Sequence, residues 1–291
     1  HAPDFLVTVG RFGISRPIMK LVALADHHLA VNVGGKDRPD PLRTAATILP
    51  AVPRPPDGDP VVGRAPRDDR WLRDWLTKSS EAQQRVGAAI ADGPFSGLAV
   101  TATCWAGMDS DDLIFAAASR TVRNLEATMT PRHFPPWVIG NRGTSGIDGL
   151  VSTAWGAAVA HQRQSPDGRT VAILGDLAFL HDHNGLLAPS VEQRPNLTIV
   201  VADNNGGGIF SSLEQGDSDF AADFERVFGT PHNLDLEEIA RATGITTTSV
   251  TDAEQLAVAL GRDSDGVQII IARTIDREAE QAQWADLIPA R

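Results

Sequence analysis

A chain of 291 residues with 42% hydrophobic content can hold one large domain or two smaller ones around a substantial buried core. Its 26 Lys and Arg against 37 Asp and Glu give a net charge of -11. That field repels phosphate backbones and anionic lipid, which argues against nucleic acid or a membrane as partner but leaves room for a local basic pocket. A single cysteine, Cys104, excludes an intrachain disulfide and points to a reducing, cytoplasmic setting. It lies in the apolar stretch 98–105, so it reads as a small buried hydrophobe rather than a nucleophile. No apolar run reaches the about 18 residues that a membrane span needs.

In chain order, residues 5–9 (FLVTV) read as a buried strand, Gly10 and Gly13 as a turn, and 17–25 as an apolar-rich helix. Pro17 suits the first turn of that helix, where its missing N–H costs little. Residues 29–33 form a second short strand ending at Gly34-Gly35. This β-α-β fragment is too small for a whole Rossmann-like domain, so residues 1–52 are expected to be the C-terminal part of a middle domain that begins upstream. Six prolines between Pro50 and Pro66 block helix interiors and central strands, and 53–68 is expected to be an interdomain linker. Helices are expected at 69–76 and 80–91, the second capped by Ser80.

The rest alternates. Strands are expected at 98–103, 137–140, 170–174, 197–202, 246–250 and 267–271, with helices at 112–125, 149–161, 181–189, 236–243, 253–260 and 277–287. Continuous apolar strands alternating with helices predict an α/β fold, a doubly wound and mostly parallel sheet spanning 69–291, with ligands beyond the C-terminal ends of its strands.

Two polar clusters fall at such ends. TVAIL runs into Gly175-Asp176, and LTIVVA into Asp203-Asn204-Asn205 and three glycines, Gly206 to Gly208. A carboxylate, an amide oxygen and a freed backbone carbonyl are hard ligands that suit Mg²⁺ or Ca²⁺ rather than zinc. The glycines would let backbone approach a ligand closely, and the N–H groups of a helix following Asp176 would favour phosphate. Turn and capping roles are the plain alternative, for Asp203 above all. His133, His161, His181 and His183 show no paired carboxylate at metal-ligand spacing, and Ser145 lacks the context of a hydrolase nucleophile.

Three longer stretches carry a resemblance: NRGTSGIDGLVSTAWG (141–156), GDLAFLHDHNGLL (175–187) and IVVADNNGGGIFSSL (199–213). They resemble the 2-succinyl-5-enolpyruvyl-6-hydroxy-3-cyclohexene-1-carboxylate synthases of menaquinone biosynthesis, a family of thiamine-diphosphate enzymes. Leu177 replaces the second glycine of the GDG found in thiamine-diphosphate enzymes generally, a departure shared with these synthases.

The resemblance implies thiamine diphosphate and Mg²⁺, with Mn²⁺ as a substitute. Asp176, Asn204 and the carbonyl of Gly206 would hold the metal. Ser145, Gly146, Ile147, Gly175, Leu177, Gly207 and Ile209 would complete the cofactor site, Ile147 propping the cofactor into its bent form. Arg16, Ser119, Arg123, Arg142 and Phe210 would meet the substrates, 2-oxoglutarate and isochorismate. Without the resemblance, Ile147, Ile209 and Phe210 read as core or turn-flanking residues and each arginine as a surface charge. Ser15 stands where family members carry Lys.

The implied activity is a transferase-type carboligation: 2-oxoglutarate is decarboxylated and its succinyl unit added to isochorismate. The activating glutamate would come from the N-terminal pyrimidine-binding domain of a partner subunit, so a homodimer or homotetramer is expected and these residues should not turn over alone. An acetolactate-synthase-like carboligase or a 2-oxoacid decarboxylase is the alternative enzyme, and a nucleotide- or phosphate-binding scaffold and interaction module the non-enzymatic one.

Overall fold

Parallel strands require a crossover, and the start of the chain supplies one. β1 (Phe5–Val9), α1 (Arg16–Ala23) and β2 (His27–Val31) form a β-α-β unit, and β3 (Thr47–Leu49) pairs in parallel with the far side of β2. The short β3, followed at once by Pro50, went unread in the sequence. His28 is buried between two hydroxyls, Thr8 Oγ1 and Thr44 Oγ1, each 2.9 Å from one of its ring nitrogens. The computed structural model describes residues 2–10, 15–33, 39–52, 69–189, 191–261 and 266–287. It falls into two units, His1–Asp69 and Arg70–Arg291. Gly13, Gly34-Gly35 and the proline-rich linker 53–68 lie outside the described residues.

The second unit begins with α2 (Arg70–Ala91) and α3 (Gly97–Ala106). There follow β4 (Leu113–Ala116), α4 (Arg120–Thr128), β5 (Trp137–Ile139), α5 (Leu150–Gln164), β6 (Thr170–Gly175), α6 (Asp176–Asp182) and β7 (Leu197–Asp203). The chain closes with α7 (Ala221–Phe224), α8 (Leu236–Arg241), β8 (Thr246–Val250), α9 (Ala253–Leu260), β9 (Val267–Arg273) and α10 (Arg277–Leu287). The six strands form one sheet, every pair parallel, in the order β5-β4-β6-β7-β9-β8. This is the α/β architecture expected from the sequence.

Period-two alternation explains why the central strands are apolar at nearly every position. Ala172, Leu174, Ile199, Val201, Ile269 and Ile271 face one core, covered by α5, α6 and α8. Val171, Ile173, Val200, Ile270 and Ala272 face a second, covered by α3, α4 and α9. Each buried aliphatic side chain contributes about 1.5–3 kcal/mol, so both faces need their helices. Among the described residues no helix is long and apolar enough to cross a membrane.

Four expectations are corrected. Residues 98–103 are not a strand but part of α3, which buries Leu98, Ala99, Val100, Thr101, Cys104 and Trp105 on several sides at once. A helix apolar all round has no visible 3.6-residue period and imitates a buried strand. Residues 112–125 are not one helix: Leu113–Ala116 is β4, wedged between β5 and β6, and only then does α4 begin. The alanines at 116–118 favour helix locally, but central sheet pairing overrides that weak propensity. The two helices at 69–76 and 80–91 are one, since no Gly or Pro stands between them at 77–79 and extending a helix costs far less than starting another. Ser80 accepts a weak bond from Gln84 Nε2 (3.4 Å) and caps nothing. The helix expected at 181–189 starts five residues earlier, at Asp176, and tightens into a 3₁₀ turn over His183–Leu186.

Cys104 is fully buried on α3, and burial pushes its thiol up to about 12. Thiol reagents attack the thiolate, so native protein at pH 8 is expected to stay unlabelled for hours and to take up one equivalent on denaturation. Rapid labelling of the folded chain, read by mass spectrometry, would contradict this burial.

Candidate functional site

The sheet order contains a reversal. From β4 the chain passes through α4 outward to β5, whereas from β6 it passes through α6 the other way to β7. The C-terminal ends of the neighbours β4 and β6 therefore flank a switch point, where open α/β sheets bind their ligands. A cavity of about 420 Å³ lies there, walled by segments that follow β4, β5, β6 and β7. Those segments bring together Ser119, Arg123, Arg142, Ser145, Gly146, Ile147, Gly175, Asp176, Leu177, Asn204, Gly206, Gly207, Ile209 and Phe210. Every site residue expected from the sequence is in this wall except Arg16, which opens α1 in the first unit.

After β4, Ser119 holds φ 69° and ψ -133°, a region that costs a non-glycine residue about 1–3 kcal/mol. Arg123 Nη1 donates to the Ser119 carbonyl at 2.5 Å, so the two residues four apart act on one wall. After β5, Arg142 has Nε and Nη1 buried with no hydrogen-bond partner. Ile147 lines the cavity and packs against the core beneath α5, which unites the two roles weighed for it.

After β6, Gly175 leaves open space: a Cβ there would meet no atom within 4 Å. Asp176 is 2% exposed; its Oδ1 accepts from Leu177 N and its Oδ2 from Gly206 N, both at 2.6 Å. After β7, Asn204 donates through Nδ2 to Glu280 Oε2 at 2.7 Å, while its Oδ1 is buried with no partner. The glycine run has a second reason beside the ligand approach expected for it. A Cβ on Gly206 would come within 2.3 Å of the Gly229 carbonyl oxygen, and one on Gly207 within 2.2 Å of that of Phe228. The close approach these two glycines permit is thus to the protein's own backbone. Gly206 also has φ +142°, which disfavours any side chain.

Several residues of the site were missed by sequence reasoning. His232 Nε2 lies 3.3 Å from Asp176 Oδ2 and 3.5 Å from Asp203 Oδ1. Its hydrogen bond to Asp176 raises its pKa above the ordinary histidine value, against the opposing effect of burial. Asp203 is raised too, first by burial and then by the negative charge of Asp176. Among the described residues, Asp176, Asp203 and His232 bring potential ligand atoms within 4.8 Å of one another. Glu280 and Arg120 also line the cavity. Burial raises the carboxyl of Glu280 and lowers the guanidinium of Arg120, each partly offset by the other's charge. No local spacing marks these residues, because their partners are remote in sequence.

The donor set fits a hard divalent cation. Buried polar atoms are nearly always hydrogen-bonded, so an orphaned amide oxygen beside a buried carboxylate marks a place for a positive ligand. Asp203 accepts from Asn205 N at 3.2 Å, the local turn bond weighed for it.

Comparison with known proteins agrees with this geometry. The chain is 43% identical over 280 residues to the 2-succinyl-5-enolpyruvyl-6-hydroxy-3-cyclohexene-1-carboxylate synthase of Thermobifida fusca, covering 96% of this chain and 48% of the relative. The synthase of the same name from Saccharopolyspora erythraea is 36% identical over 282 residues, 94% of this chain and 47% of the relative. That from Nocardia farcinica is 43% identical over 234 residues, 79% and 42%. The chain thus spans about half the length of the relatives it matches. Residues 126–271, which carry four of the six strands whole, most of β9 and all three long motifs, match the thiamine pyrophosphate enzyme family through its C-terminal TPP-binding domain. With its cavity at the switch point of a parallel sheet and that match over half its length, the chain belongs to the thiamine pyrophosphate enzymes.

Proposed function

We propose that this chain is the diphosphate- and metal-binding half of a 2-succinyl-5-enolpyruvyl-6-hydroxy-3-cyclohexene-1-carboxylate synthase. The whole protein would decarboxylate 2-oxoglutarate and add the succinyl unit to isochorismate. The observation that carries this reading is a cavity with two unmet needs: an amide oxygen with no donor at Asn204, and guanidinium N–H groups with no acceptor at Arg142. The first calls for a cation and the second for an oxyanion. Similarity to proteins bearing the synthase name supports the choice among thiamine-diphosphate enzymes.

Asp176, Asn204 and the carbonyl of Gly206 would hold Mg²⁺, or Mn²⁺ in its place, against the two phosphates. When bound, thiamine diphosphate supplies the carbon nucleophile and the electron sink that loss of CO₂ requires. The protein's own part is positioning. Ile147, backed by the core, would prop the cofactor, and Ile209 with Phe210 would keep water from it. Arg142 and Arg123, with Ser119, would orient the substrate carboxylates, countering the repulsion of a chain whose net charge is -11. The proton-moving glutamate would come from a pyrimidine-binding domain of a partner subunit, which makes the working protein a homodimer or homotetramer.

Steady-state kinetics of the complete protein test the reading. Arg142→Ala is expected to lower kcat/KM for a carboxylated substrate by about 2–5 kcal/mol, at least about thirtyfold, with Mg²⁺-dependent cofactor binding unchanged. Equal kinetics for wild type and variant with both 2-oxoglutarate and isochorismate would remove Arg142 from the substrate site. Better turnover of pyruvate than of 2-oxoglutarate would favour an acetolactate-synthase-like carboligase instead.

A further inference from the structure

An asparagine amide can turn over with almost no change of shape, exchanging its oxygen for its NH₂. Only the oxygen can ligate a cation, so something must choose the orientation of Asn204. Glu280, on α10 and 76 residues further along the chain, makes that choice. It is 3% exposed; Oε2 accepts from Asn204 Nδ2 at 2.7 Å and Oε1 accepts from Gly97 N at 2.6 Å. With both oxygens accepting, Glu280 offers Asn204 no donor, and Asn204 Oδ1 is the atom left without a protein partner. The helix that carries Glu280 is tied to the same loop. Arg120 Nη2 donates to the Gly208 carbonyl at 2.7 Å and to Gln281 Oε1 at 2.9 Å, and Trp284 Nε1 donates to Asn124 Oδ1 at 3.1 Å.

We propose that Glu280 is a positioning residue for the cation site: it locks the Asn204 amide with its oxygen toward the cavity and so sets the affinity for the divalent cation. This rests on the reading of the cavity as a metal-diphosphate site. Glu280→Gln keeps the shape of the residue and inverts half of its hydrogen-bonding pattern. The new amide oxygen can still serve the N–H of Gly97, but the new NH₂ then meets the NH₂ of Asn204. That clash is relieved when the Asn204 amide turns over, which presents its NH₂ to the cation. Adding Asn204→Asp repairs the pattern, because a carboxylate accepts from the new NH₂ through one oxygen and keeps the other for the metal.

The test measures Mn²⁺ binding to the full chain by electron paramagnetic resonance in the presence of thiamine diphosphate, with the thermal midpoint of the ligand-free protein recorded alongside. Glu280→Gln is expected to weaken Mn²⁺ binding about tenfold or more, the usual effect of losing an outer partner of a metal ligand. The double variant Glu280→Gln/Asn204→Asp is expected to regain most of that loss and to bind Mn²⁺ more tightly than either single variant. A merely structural Glu280 would lower the midpoint and give no such rescue. Wild-type affinity in Glu280→Gln, or a double variant no tighter than Glu280→Gln, overturns the proposal. Asp176→Ala separates the two levels: if it abolishes binding while Glu280→Gln does not weaken it, only the role of Glu280 falls. If Asp176→Ala binds Mn²⁺ like wild type, the metal-site reading falls and the proposal with it.

Discussion

Asp176→Ala is expected to reduce Mg²⁺-dependent retention of thiamine diphosphate by at least roughly a hundredfold, since even outer partners of metal ligands are worth about 10–100-fold. The carboxylate is nearly fully buried and central to the cavity's polar network. Its loss removes the acceptor of Leu177 N and Gly206 N and the neighbour of His232 Nε2. Two opposing effects act on the ligand-free fold. Orphaned N–H groups cost about 1–3 kcal/mol each, whereas removing one of two nearby carboxylates relieves the repulsion that, after burial, raises Asp203. The ligand-free variant should therefore unfold close to wild type while losing its cofactor. Calorimetric titration with Mg²⁺ and thiamine diphosphate, next to a denaturant melt, measures both. Undiminished binding would move the metal site away from Asp176.

Phe179→Ala is expected to have the largest effect on stability, about 3–5 kcal/mol, out of the roughly 5–15 kcal/mol that holds a typical domain. Phe179 is fully buried on α6 within the core that faces α5 and the central strands. Truncation removes a whole aromatic ring from a close-packed interior that relaxes only in part. Because α6 begins at Asp176, three residues before Phe179, the cavity left behind should also loosen the Asp176 carboxylate. Phe179→Leu, which refills most of the volume, is expected to recover much of both losses. Urea unfolding gives the energy directly. A loss below about 1 kcal/mol for Phe179→Ala would show that α6 does not anchor this core.

Residues 170–174, 197–202 and 267–271 were legible as strands because they are short, rich in β-branched residues and almost wholly apolar. The same signal failed at α3, where burial on several sides erased the helical period, and at β4, where alanines outvoted sheet pairing that is invisible locally. The site divides in the same way. Asp176 and Asn204 could be singled out because each directly follows a strand, with Gly206 two residues beyond Asn204, and a parallel sheet collects the C-terminal ends of its strands on one edge. The strained Ser119 and the orphaned atoms of Arg142 and Asn204 are properties of backbone angles and burial, which no sequence pattern reports.

By itself, then, the sequence determined the α/β alternation, the strand-end motifs and the resemblance that names a cofactor, all of which are local in the chain. Tertiary structure alone decided the strand order, and with it the switch point between β4 and β6 where the cavity lies. It also decided that His232 would meet Asp176 across 56 residues and that Glu280 would accept from Asn204 across 76. Hydrogen bonds of that kind depend on how helices and loops dock on the finished sheet, and docking is set by burial summed over many residues rather than by the few that bond.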